Sequence, residues 1–327
     1  MKLGSLKSKD LDGQLVVVSK DNQKYCDASE IVPSLRLAIE NWKQFEAPLA
    51  RLSEQLEAGQ CAKAKAVNQE DFHSPLPRTF QWMDGSAYIQ HVILVRKARG
   101  AEPPETLRTV PLMYQGSGDN FLAPRQDIPC ISTDHGVDFE GEVGVILDNV
   151  PMGVTAEQAA QYIRLFVIIN DVSLRGLIPA ELKQGFGFLQ GKPSSAFAPF
   201  ALTPDELGSA WKDERIHLPL ESKLNGQFYG NPDAGAMFFT FGQLIAHAAK
   251  TRNLTAGTII GSGTVSNEDQ ARGSSCLAEK RMLEMIKYGE IKTPFMKPGD
   301  EIQIEMKNAK GENLFGTIKQ KVVQVNI

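Results

Sequence analysis

Short apolar runs of strand length, separated by turn residues, are the feature that most restricts how this chain can fold. Such runs occupy residues 89–95, 142–147, 164–170, 216–224 and 301–306. The 28 glycines and 18 prolines lie mostly at the turns between them. Two helices are predicted among these runs, because Thr155 with Gln158 and Thr240 with Gln243 have capping-box spacing. The pattern predicts a strand-rich α+β domain rather than a regular βαβ series.

The first part of the chain has a different pattern. Residues 14–32 contain LVVVS and a turn with aspartates, which predicts a short hairpin. A helix is predicted next, because apolar residues recur every three or four positions from Leu35 to Leu56. Pro48 is expected to kink or split this helix, and Gly59 to end it. The polar segment 60–80 then predicts a boundary between a small N-terminal α+β domain, residues 1–75, and a larger domain, residues 76–327.

Composition and charge exclude several classes of protein. The 35 basic and 39 acidic residues give a net charge of -4, unlike the clustered positive charge of nucleic-acid binders. No apolar run approaches the ~20 residues that cross a bilayer, and no secretory signal is visible. The cysteines are far apart in the sequence and none forms a C-x-x-C pair: Cys26, Cys61, Cys130 and Cys276. We therefore expect free thiols in a cytoplasmic protein that binds neither nucleic acid nor membranes.

Signatures of several enzyme classes are missing. Gly191 and Lys192 resemble the end of a P-loop, but the preceding glycine is misplaced and Pro193 replaces the magnesium-binding Ser or Thr. The glycines of the chain do not form G-x-G-x-x-G, and neither G-x-S-x-G nor H-E-x-x-H occurs. Dinucleotide binding, serine-triad hydrolysis and zinc-protease chemistry are therefore disfavoured.

Carboxylates beside apolar strands are the strongest chemical signal. Glu140 and Glu142 are two residues apart, so a strand would project both from one face. Asp171 ends an almost wholly apolar run, where an unneutralised carboxylate is costly to bury. Asp84 lies seven residues before His91, which lies within the run 89–95. Hard oxygen ligands of this kind suit Mg²⁺, Ca²⁺ or Mn²⁺ rather than zinc.

Ordinary explanations remain open for each of these residues. The two glutamates could line a solvated face, and Asp171 could cap a turn or form a salt bridge with Arg175. Asp84 could belong to a simple turn and His91 could be a buried core histidine.

An ordered set of motifs resembles the fumarylacetoacetate hydrolase family over residues 75–327. The motifs are the E-x-E of Glu140 and Glu142, NDVSLR at 170–175, Gly191-Lys192, GSGTVS at 261–266 and FMKPGDEIQIEM at 295–306. The resemblance implies a twisted, mixed β-roll with few helices, which follows a small N-terminal domain in the chain. It also implies a homodimer that binds a divalent cation, Mg²⁺ or Ca²⁺, or else Mn²⁺.

The resemblance implies roles for individual residues. The metal ligands would be Asp84, Glu140, Glu142 and Asp171. The catalytic residues would be His91, Glu279 as its partner, and Lys192. The substrate-binding residues would be Arg99, Tyr114, Arg175 and Thr264. Two of these assignments have competitors, because Glu284 also matches the pattern around Glu279 and Arg96 lies close to Arg99.

Two positions depart from the fumarylacetoacetase pattern. Ile178 stands where those enzymes carry a glutamine that stabilises the oxyanion, and Ser86 stands where they carry a tyrosine. These differences affect the identity of the substrate more than the class of the reaction.

The resemblance favours metal-dependent hydrolysis of a carbon–carbon bond in a 1,3-diketo acid. Fumarylacetoacetate, an intermediate of tyrosine degradation and so of aromatic amino-acid catabolism, is the example expected. One alternative is a metal-dependent decarboxylase, isomerase or hydratase of 2-oxo acids, which would use the same core ligands. Another is a cation-binding β domain without catalysis.

Overall fold

A computed structural model describes residues 1–98, 102 and 104–326. The first strands are β1 (Lys2–Leu6), β2 (Gln14–Val18), β3 (Lys24–Asp27), β4 (Lys65–Ala66), β5 (Trp82–Gly85), β6 (Met113–Gly116), β7 (Ile128–Cys130), β8 (Val137–Asp138), β9 (Gly141–Leu147), β10 (Ile163–Asn170) and β11 (Ser173–Leu174). The later strands are β12 (Ala196–Phe197), β13 (Phe200–Leu202), β14 (Trp211–Lys212), β15 (Arg215–Ile216), β16 (Leu220–Leu224), β17 (Gln227–Gly230), β18 (Ile259–Gly261), β19 (Glu301–Met306) and β20 (Ile318–Gln324). The α-helices are α1 (Leu35–Glu40), α2 (Trp42–Glu57), α3 (Ile89–Ala98), α4 (Ala156–Ala159), α5 (Ile178–Gln184), α6 (Pro204–Leu207), α7 (Phe241–Ala248) and α8 (Leu277–Tyr288).

Two mixed sheets carry most of these strands. The first has the order β4-β3-β2-β1-β13-β10-β9-β18-β5-β6, with β12 also paired to β10. The second has the order β17-β16-β19-β20-β7. Most neighbouring strands are antiparallel, whereas β18 runs parallel to β5 and β20 parallel to β7. The strand-rich α+β class predicted from the sequence is confirmed.

The central strands β9 and β10 are buried on both faces, as their apolar sequences predict. Alternate residues point to opposite sides of the sheet. Val145 and Phe166 belong to one apolar cluster, whereas Ile146 and Val167 belong to the cluster on the other side. A polar side chain at the end of either strand is therefore held in a rigid, dry environment.

The N-terminal strands continue the first sheet. The predicted hairpin is confirmed, because β2 and β3 pair antiparallel with Val16 opposite Asp27. Strand β1 pairs with β2 on one side and with β13 on the other, where Leu3 lies opposite Ala201. Backbone pairing therefore crosses the proposed division of the chain, and the boundary near residue 75 stays a prediction.

The predicted N-terminal helix is divided, although not at its proline. Helix α1 ends before Asn41, whose backbone leaves the helical region with φ -131° and ψ 41°. Pro48 lies inside α2, where a proline removes only one backbone hydrogen bond. The predicted apolar stripe packs in the core, since Leu35, Ile39 and Leu49 join the cluster beneath β2.

The predicted strand at residues 89–95 is wrong, because these residues form helix α3. A short apolar run rich in β-branched residues does not distinguish a helix from a strand by its sequence period alone. Ile89 and Val92 are three residues apart and therefore share one helix face, where they pack with Leu107. Helix α3 also packs against α8.

Two further local predictions are refined by the structure. Residues 216–224 do not form one strand, because Pro219 lies between β15 and β16. The capping box of α7 is confirmed, with Thr240 and Gln243 exchanging hydrogen bonds. Helix α4 is a single turn, and its N-cap Thr155 makes no side-chain capping bond.

The prediction of four free cysteines is wrong for two of them. Cys26 on β3 and Cys61 after α2 form a disulfide, although 35 residues separate them. Helix α2 packs on β2 and β3, and the chain that leaves it therefore returns to β3. Cys130 and Cys276 are free, as expected, and both are buried.

None of the helices in the described ranges is long and apolar enough to span a membrane.

Candidate active site

Three buried carboxylates meet at one end of the central strands. Asp84 lies on β5, Glu142 on β9, and Asp171 directly after β10. Each offers an oxygen that lies within 4.8 Å of the others. Strand β18 joins β5 to β9, and its Gly261 lies opposite Asp84. A side chain at Gly261 would collide with the Asp84 carboxylate, so glycine is required for this close approach.

The acid cluster is electrostatically unfavourable without a cation. Burial, with the charge of Asp171, raises the pKa of Asp84 to about 8. Burial and the charge of Asp84 raise the pKa of Glu142 well above its ordinary value. Both carboxylate oxygens of Glu142 are buried and have no hydrogen-bond partner among the described residues. Unpartnered oxygens amid close carboxylates fit the donor set of a hard divalent cation, as the sequence predicts.

Glu140 lies beside this group, and its oxygens are held by two cations. Arg175 Nη2 and Lys192 Nζ each donate to the Glu140 carboxylate over 2.5 Å. Burial raises the pKa of Glu140, but the charges of Arg175 and Lys192 outweigh it and lower the pKa below its usual range. The structure therefore places Glu140 next to the three-carboxylate cluster but outside it, and its role as a fourth metal ligand stays a prediction.

Lys192 and Arg175 have different partners. Lys192 is 8% exposed and also donates to Asp171 over 2.5 Å, so it is a buried residue of the site. The salt bridge between Arg175 and Asp171 that the sequence allowed is wrong, because Arg175 has other partners. Its Nε atom donates to Asp138 over 2.9 Å and its Nη2 atom to Glu140. The chain turns sharply after β10, so Arg175 faces back toward β8.

His91 and Glu279 form a hydrogen-bonded pair beside the cavity that Asp84 also lines. His91 Nδ1 lies 2.9 Å from Glu279 Oε2. The histidine projects from α3 and the glutamate from the first turn of α8, which is packed against it. Glu284 lies one turn farther along α8, where its carboxylate accepts bonds from the backbone of Lys292 and Thr293. The structure therefore brings Glu279, and not Glu284, to His91.

One cavity of about 340 Å³ is lined by His91, by Asp84 of the acid cluster and by Glu140. Tyr114 enters it from β6 and donates its hydroxyl to Asp171 over 2.6 Å. Thr264 and Ser86 also line the cavity. Tyr88 cannot take the place of the missing tyrosine, because its buried hydroxyl donates to the Ala234 carbonyl over 2.8 Å.

The predicted substrate residue Arg99 lies outside the described residues. Its competitor Arg96 is on α3 and lines the cavity.

Two residues of the site were missed by the sequence analysis. Asp138 is fully buried; it accepts the bond from Arg175 and also the backbone N–H groups of Leu277 and Ala278 at the start of α8. The spacing of two from Asp138 to Glu140 was a usable signal, because it continues the E-x-E alternation by one step. Ser195 donates to Asp171 over 2.7 Å, and no motif marks it.

Sequence models of two families match the chain. The model described as fumarylacetoacetate hydrolase C-terminal matches residues 81–323. The model described as fumarylacetoacetase N-terminal domain 2 matches residues 1–78.

Characterised relatives include different activities. An oxaloacetate tautomerase of Bacillus subtilis is 24% identical over 261 residues, which are 78% of this chain and 83% of the relative. A 2,4-didehydro-3-deoxy-L-rhamnonate hydrolase of a Sphingomonas species is 29% identical over 161 residues, which are 48% of this chain and 53% of the relative.

Solved structures with the same fold cover the whole chain. A probable 2-hydroxyhepta-2,4-diene-1,7-dioate isomerase from Mycobacterium abscessus has a TM-score of 0.67 at 18% identity, with 100% of each chain covered. A maleylpyruvate hydrolase from a Sphingobium species has a TM-score of 0.67 at 14% identity, with 99% of this chain and 100% of that chain covered. At these identities the likeness shows the fold alone.

Proposed function

The chain belongs to the fumarylacetoacetate hydrolase family, and we propose that within this family it hydrolyses a carbon–carbon bond of a 1,3-diketo acid. The observation that carries the proposal is that His91, which is paired with Glu279, lines the same cavity as Asp84 of the carboxylate cluster. A cation site alone would serve a binding domain, whereas an imidazole oriented by a carboxylate is the arrangement of a general base.

The carboxylate cluster is the proposed cation site. Asp84, Glu142 and Asp171 would hold the divalent cation, with Glu140 beside them. When bound, the cation supplies a Lewis acid that polarises the substrate's oxygens and orients the substrate.

His91 is the proposed base. The Glu279 carboxylate accepts the Nδ1–H of the ring, which leaves Nε2 unprotonated in the neutral tautomer. This nitrogen takes a proton from a water molecule, and the hydroxide attacks the substrate carbonyl carbon. Glu279 also stabilises the imidazolium that forms.

Lys192 is the proposed oxyanion donor. Its ammonium has three N–H groups, of which Glu140 and Asp171 accept two. The third can donate to the oxygen that becomes negative in the tetrahedral intermediate. When that intermediate collapses, the carbon–carbon bond breaks, one product leaves as a carboxylic acid, and the carbon of the other product takes up a proton.

A tautomerase, isomerase, decarboxylase or hydratase is the second candidate. The observation in its favour is Ile178, an apolar side chain on the cavity wall where fumarylacetoacetases carry an oxyanion-stabilising glutamine. Product analysis separates the candidates: hydrolysis yields two acids, isomerisation leaves the mass unchanged, and decarboxylation releases CO₂.

The proposed function is tested by incubating the protein with diketo acids and Mg²⁺, Ca²⁺ or Mn²⁺ and following the loss of the diketo-acid absorbance. Chelation should abolish turnover, and adding a divalent cation back should restore it. His91→Ala should lose nearly all turnover. His247→Ala is the matched control, because His247 lies on α7 and does not line the cavity. Turnover by His91→Ala at the wild-type rate would contradict the proposal.

Three wider assignments rest on the family resemblance and are proposals as well. The substrate would be fumarylacetoacetate, or a diketo acid with the same reacting core, in aromatic amino-acid catabolism. The enzyme would act as a homodimer. We also propose a cytoplasmic location, and persistence of the Cys26–Cys61 disulfide in the protein inside cells would count against it, because the cytoplasm keeps thiols reduced.

A further inference from the structure

The loop between α5 and Lys192 has little backbone support of its own. Helix α5 is capped by Gly185, whose φ of 74° is left-handed, and Gly187 follows with a φ of 105°. Among the residues that the structure describes, no backbone group of residues 186–190 forms a hydrogen bond with another backbone group. The loop nevertheless leads directly into Lys192, the proposed oxyanion donor, so the position of that lysine depends on what holds the loop.

The Glu181 carboxylate of α5 holds this loop. Its Oε1 atom accepts the backbone N–H groups of Leu189 and Gln190 over 2.8 and 2.7 Å, and its Oε2 atom accepts that of Gly191 over 2.9 Å. Hydrogen bonds to a charged carboxylate are stronger than those between neutral groups. Glu181 therefore gathers three successive backbone N–H groups, and the last of them belongs to the residue before Lys192.

The end of the loop is packed closely against α5. A side chain at Gly191 would come within 2.6 Å of Ile178 and 2.8 Å of the Glu181 carboxylate, so the backbone of Gly191 lies directly on the helix. In addition, the Gly191 carbonyl accepts the backbone N–H of Leu174 over 2.8 Å. The residue before Lys192 is thus held by both α5 and β11.

The Lys192 side chain has to reach two carboxylates at once. Its Nζ atom donates to Glu140 and to Asp171, each over 2.5 Å, and lies 5.2 Å from the centroid of the Tyr114 ring. Phe188 of the loop packs edge-on against the same ring, with the two ring centroids 5.2 Å apart. A shift of the loop would therefore move the ammonium and also disturb the tyrosine that donates to Asp171.

We propose that Glu181 is a positioning residue of the active site. By holding residues 189–191 it places the Lys192 ammonium between Glu140 and Asp171, where the third N–H group of the lysine can reach the substrate. The inference rests on the proposed function, which gives Lys192 its role as the oxyanion donor. Glu181 is not among the described residues that line the cavity, so it acts through the backbone of the loop.

The first test measures the reactivity of Lys192 and needs no substrate. The whole protein is treated briefly with sulfosuccinimidyl acetate, which acetylates accessible amines, and acetylation of Lys192 is followed by peptide mass spectrometry. The wild-type lysine is 8% exposed and is paired with two carboxylates, so it should react slowly. In Glu181→Ala the loop loses its three anchoring bonds and opens more often, so Lys192 should be acetylated about tenfold faster.

Glu284→Ala is the matched control. Glu284 also accepts two backbone N–H groups of the loop that follows its own helix, those of Lys292 and Thr293, but that loop contributes no residue to the cavity lining. This variant should have a lower Tm and an unchanged rate of Lys192 acetylation. Glu181→Gln should give an intermediate rate, since its amide oxygen can still accept two of the three N–H groups. It also provides the comparison if thermal melting shows that Glu181→Ala is unfolded.

The kinetic test separates positioning from stability. At temperatures where Glu181→Ala is folded, its kcat should fall about 10²-fold with little change in KM, because a displaced ammonium no longer meets the charge that develops in the transition state. Wild-type acetylation of Lys192 or a wild-type kcat in the folded variant would overturn the inference. Failure of the proposed function gives a different result: Lys192 would become reactive in Glu181→Ala, but the wild-type protein would hydrolyse no diketo acid.

Discussion

The Nδ1 atom of His91 lies 2.9 Å from Oε2 of Glu279, although 188 residues separate the two in the sequence. The glutamate is 1% exposed, so its carboxylate has no access to water and is committed to the ring. With the Nδ1–H donated to this carboxylate, the neutral ring leaves Nε2 unprotonated, and His91 lines the cavity.

Replacement of Glu279 by glutamine should therefore lower kcat by about 10²- to 10⁴-fold, with little change in KM. The amide can donate to Nδ1 and stabilise the wrong tautomer, and it cannot stabilise the imidazolium. Steady-state kinetics on the diketo acid identified as substrate measure the effect.

Glu284→Gln is the matched control on the same helix. Its carboxylate accepts two backbone N–H groups at 2.8 Å and the Thr293 hydroxyl at 2.6 Å, so we expect a lower Tm and an unchanged kcat. Equal losses of kcat in both variants would show that Glu279 only stabilises α8.

The parts of the structure that were predictable from the sequence are those with an unambiguous period. β9 and β10 are continuous apolar runs that could only be buried, and the polar residues at their ends, Glu142 and Asp171, are where the carboxylates cluster. The hairpin and the apolar stripe of the N-terminal helices follow from the same reasoning.

The rest depends on contacts between distant segments. The segment of α3 was predicted as a strand, because the period of a short apolar run does not distinguish a helix from a strand, and its contacts with α8 are not visible in the sequence. The Cys26–Cys61 pair and the partner of Arg175 were missed for a similar reason: sequence spacing does not report which side chains the tertiary fold brings together. The choice between Glu279 and Glu284 also required the position of α8 relative to α3.

The raised pKa of Asp84 predicts that the cation-free protein becomes less stable as the pH rises. Its ordinary value of 3.8 rises to about 8 in the fold, so the folded state binds more protons than the unfolded state between these values. Stability is therefore fully present at low pH and is lost as the pH rises toward 8. Burial lowers the pKa of His73 from 6.5 to about 4, which gives the opposite slope below pH 6.5. Between pH 6.5 and 8, therefore, the effect of Asp84 on stability is not opposed by that of His73.

Thermal melting with a chelator present should show Tm falling across this window. Asp84→Asn should flatten the slope, and saturating Mg²⁺ should raise Tm most at the alkaline end, where the carboxylates are ionised and bind the cation best. A wild-type Tm that rises from pH 6.5 to 8 without cation would contradict the assignment of the cluster.

The disulfide should stabilise the N-terminal part of the chain without affecting catalysis. Cys26 and Cys61 close a loop of 35 residues, for which chain entropy gives at most about 4 kcal/mol. We expect Cys61→Ser to lower Tm and to leave kcat/KM unchanged, since neither cysteine lines the cavity. Reductant should lower the wild-type Tm and have no effect on the variant. Titration of four free thiols in the native protein would contradict the bond.

Asp138 should couple the stability of α8 to the position of the Glu140 carboxylate. One of its oxygens accepts Leu277 N at 2.7 Å, and the other accepts Ala278 N at 3.0 Å and Arg175 Nε at 2.9 Å. Asp138→Asn retains the shape of the side chain, but one acceptor oxygen is replaced by an amide NH₂ group that faces N–H donors. The expected loss of stability is about 1–3 kcal/mol, the cost of unsatisfied buried donors.

The catalytic effect of Asp138→Asn separates positioning from simple stability. Arg175 would lose an anchor beside Glu140, and the N-terminus of α8 would loosen at Leu277 and Ala278, directly before Glu279. We expect kcat to fall about tenfold even at temperatures where the variant is fully folded. Asp134→Asn, at an exposed position of the preceding turn, is the matched control and should change neither Tm nor kcat. If Asp138→Asn loses stability while kcat stays at the wild-type value, Asp138 anchors the fold and does not position the catalytic pair.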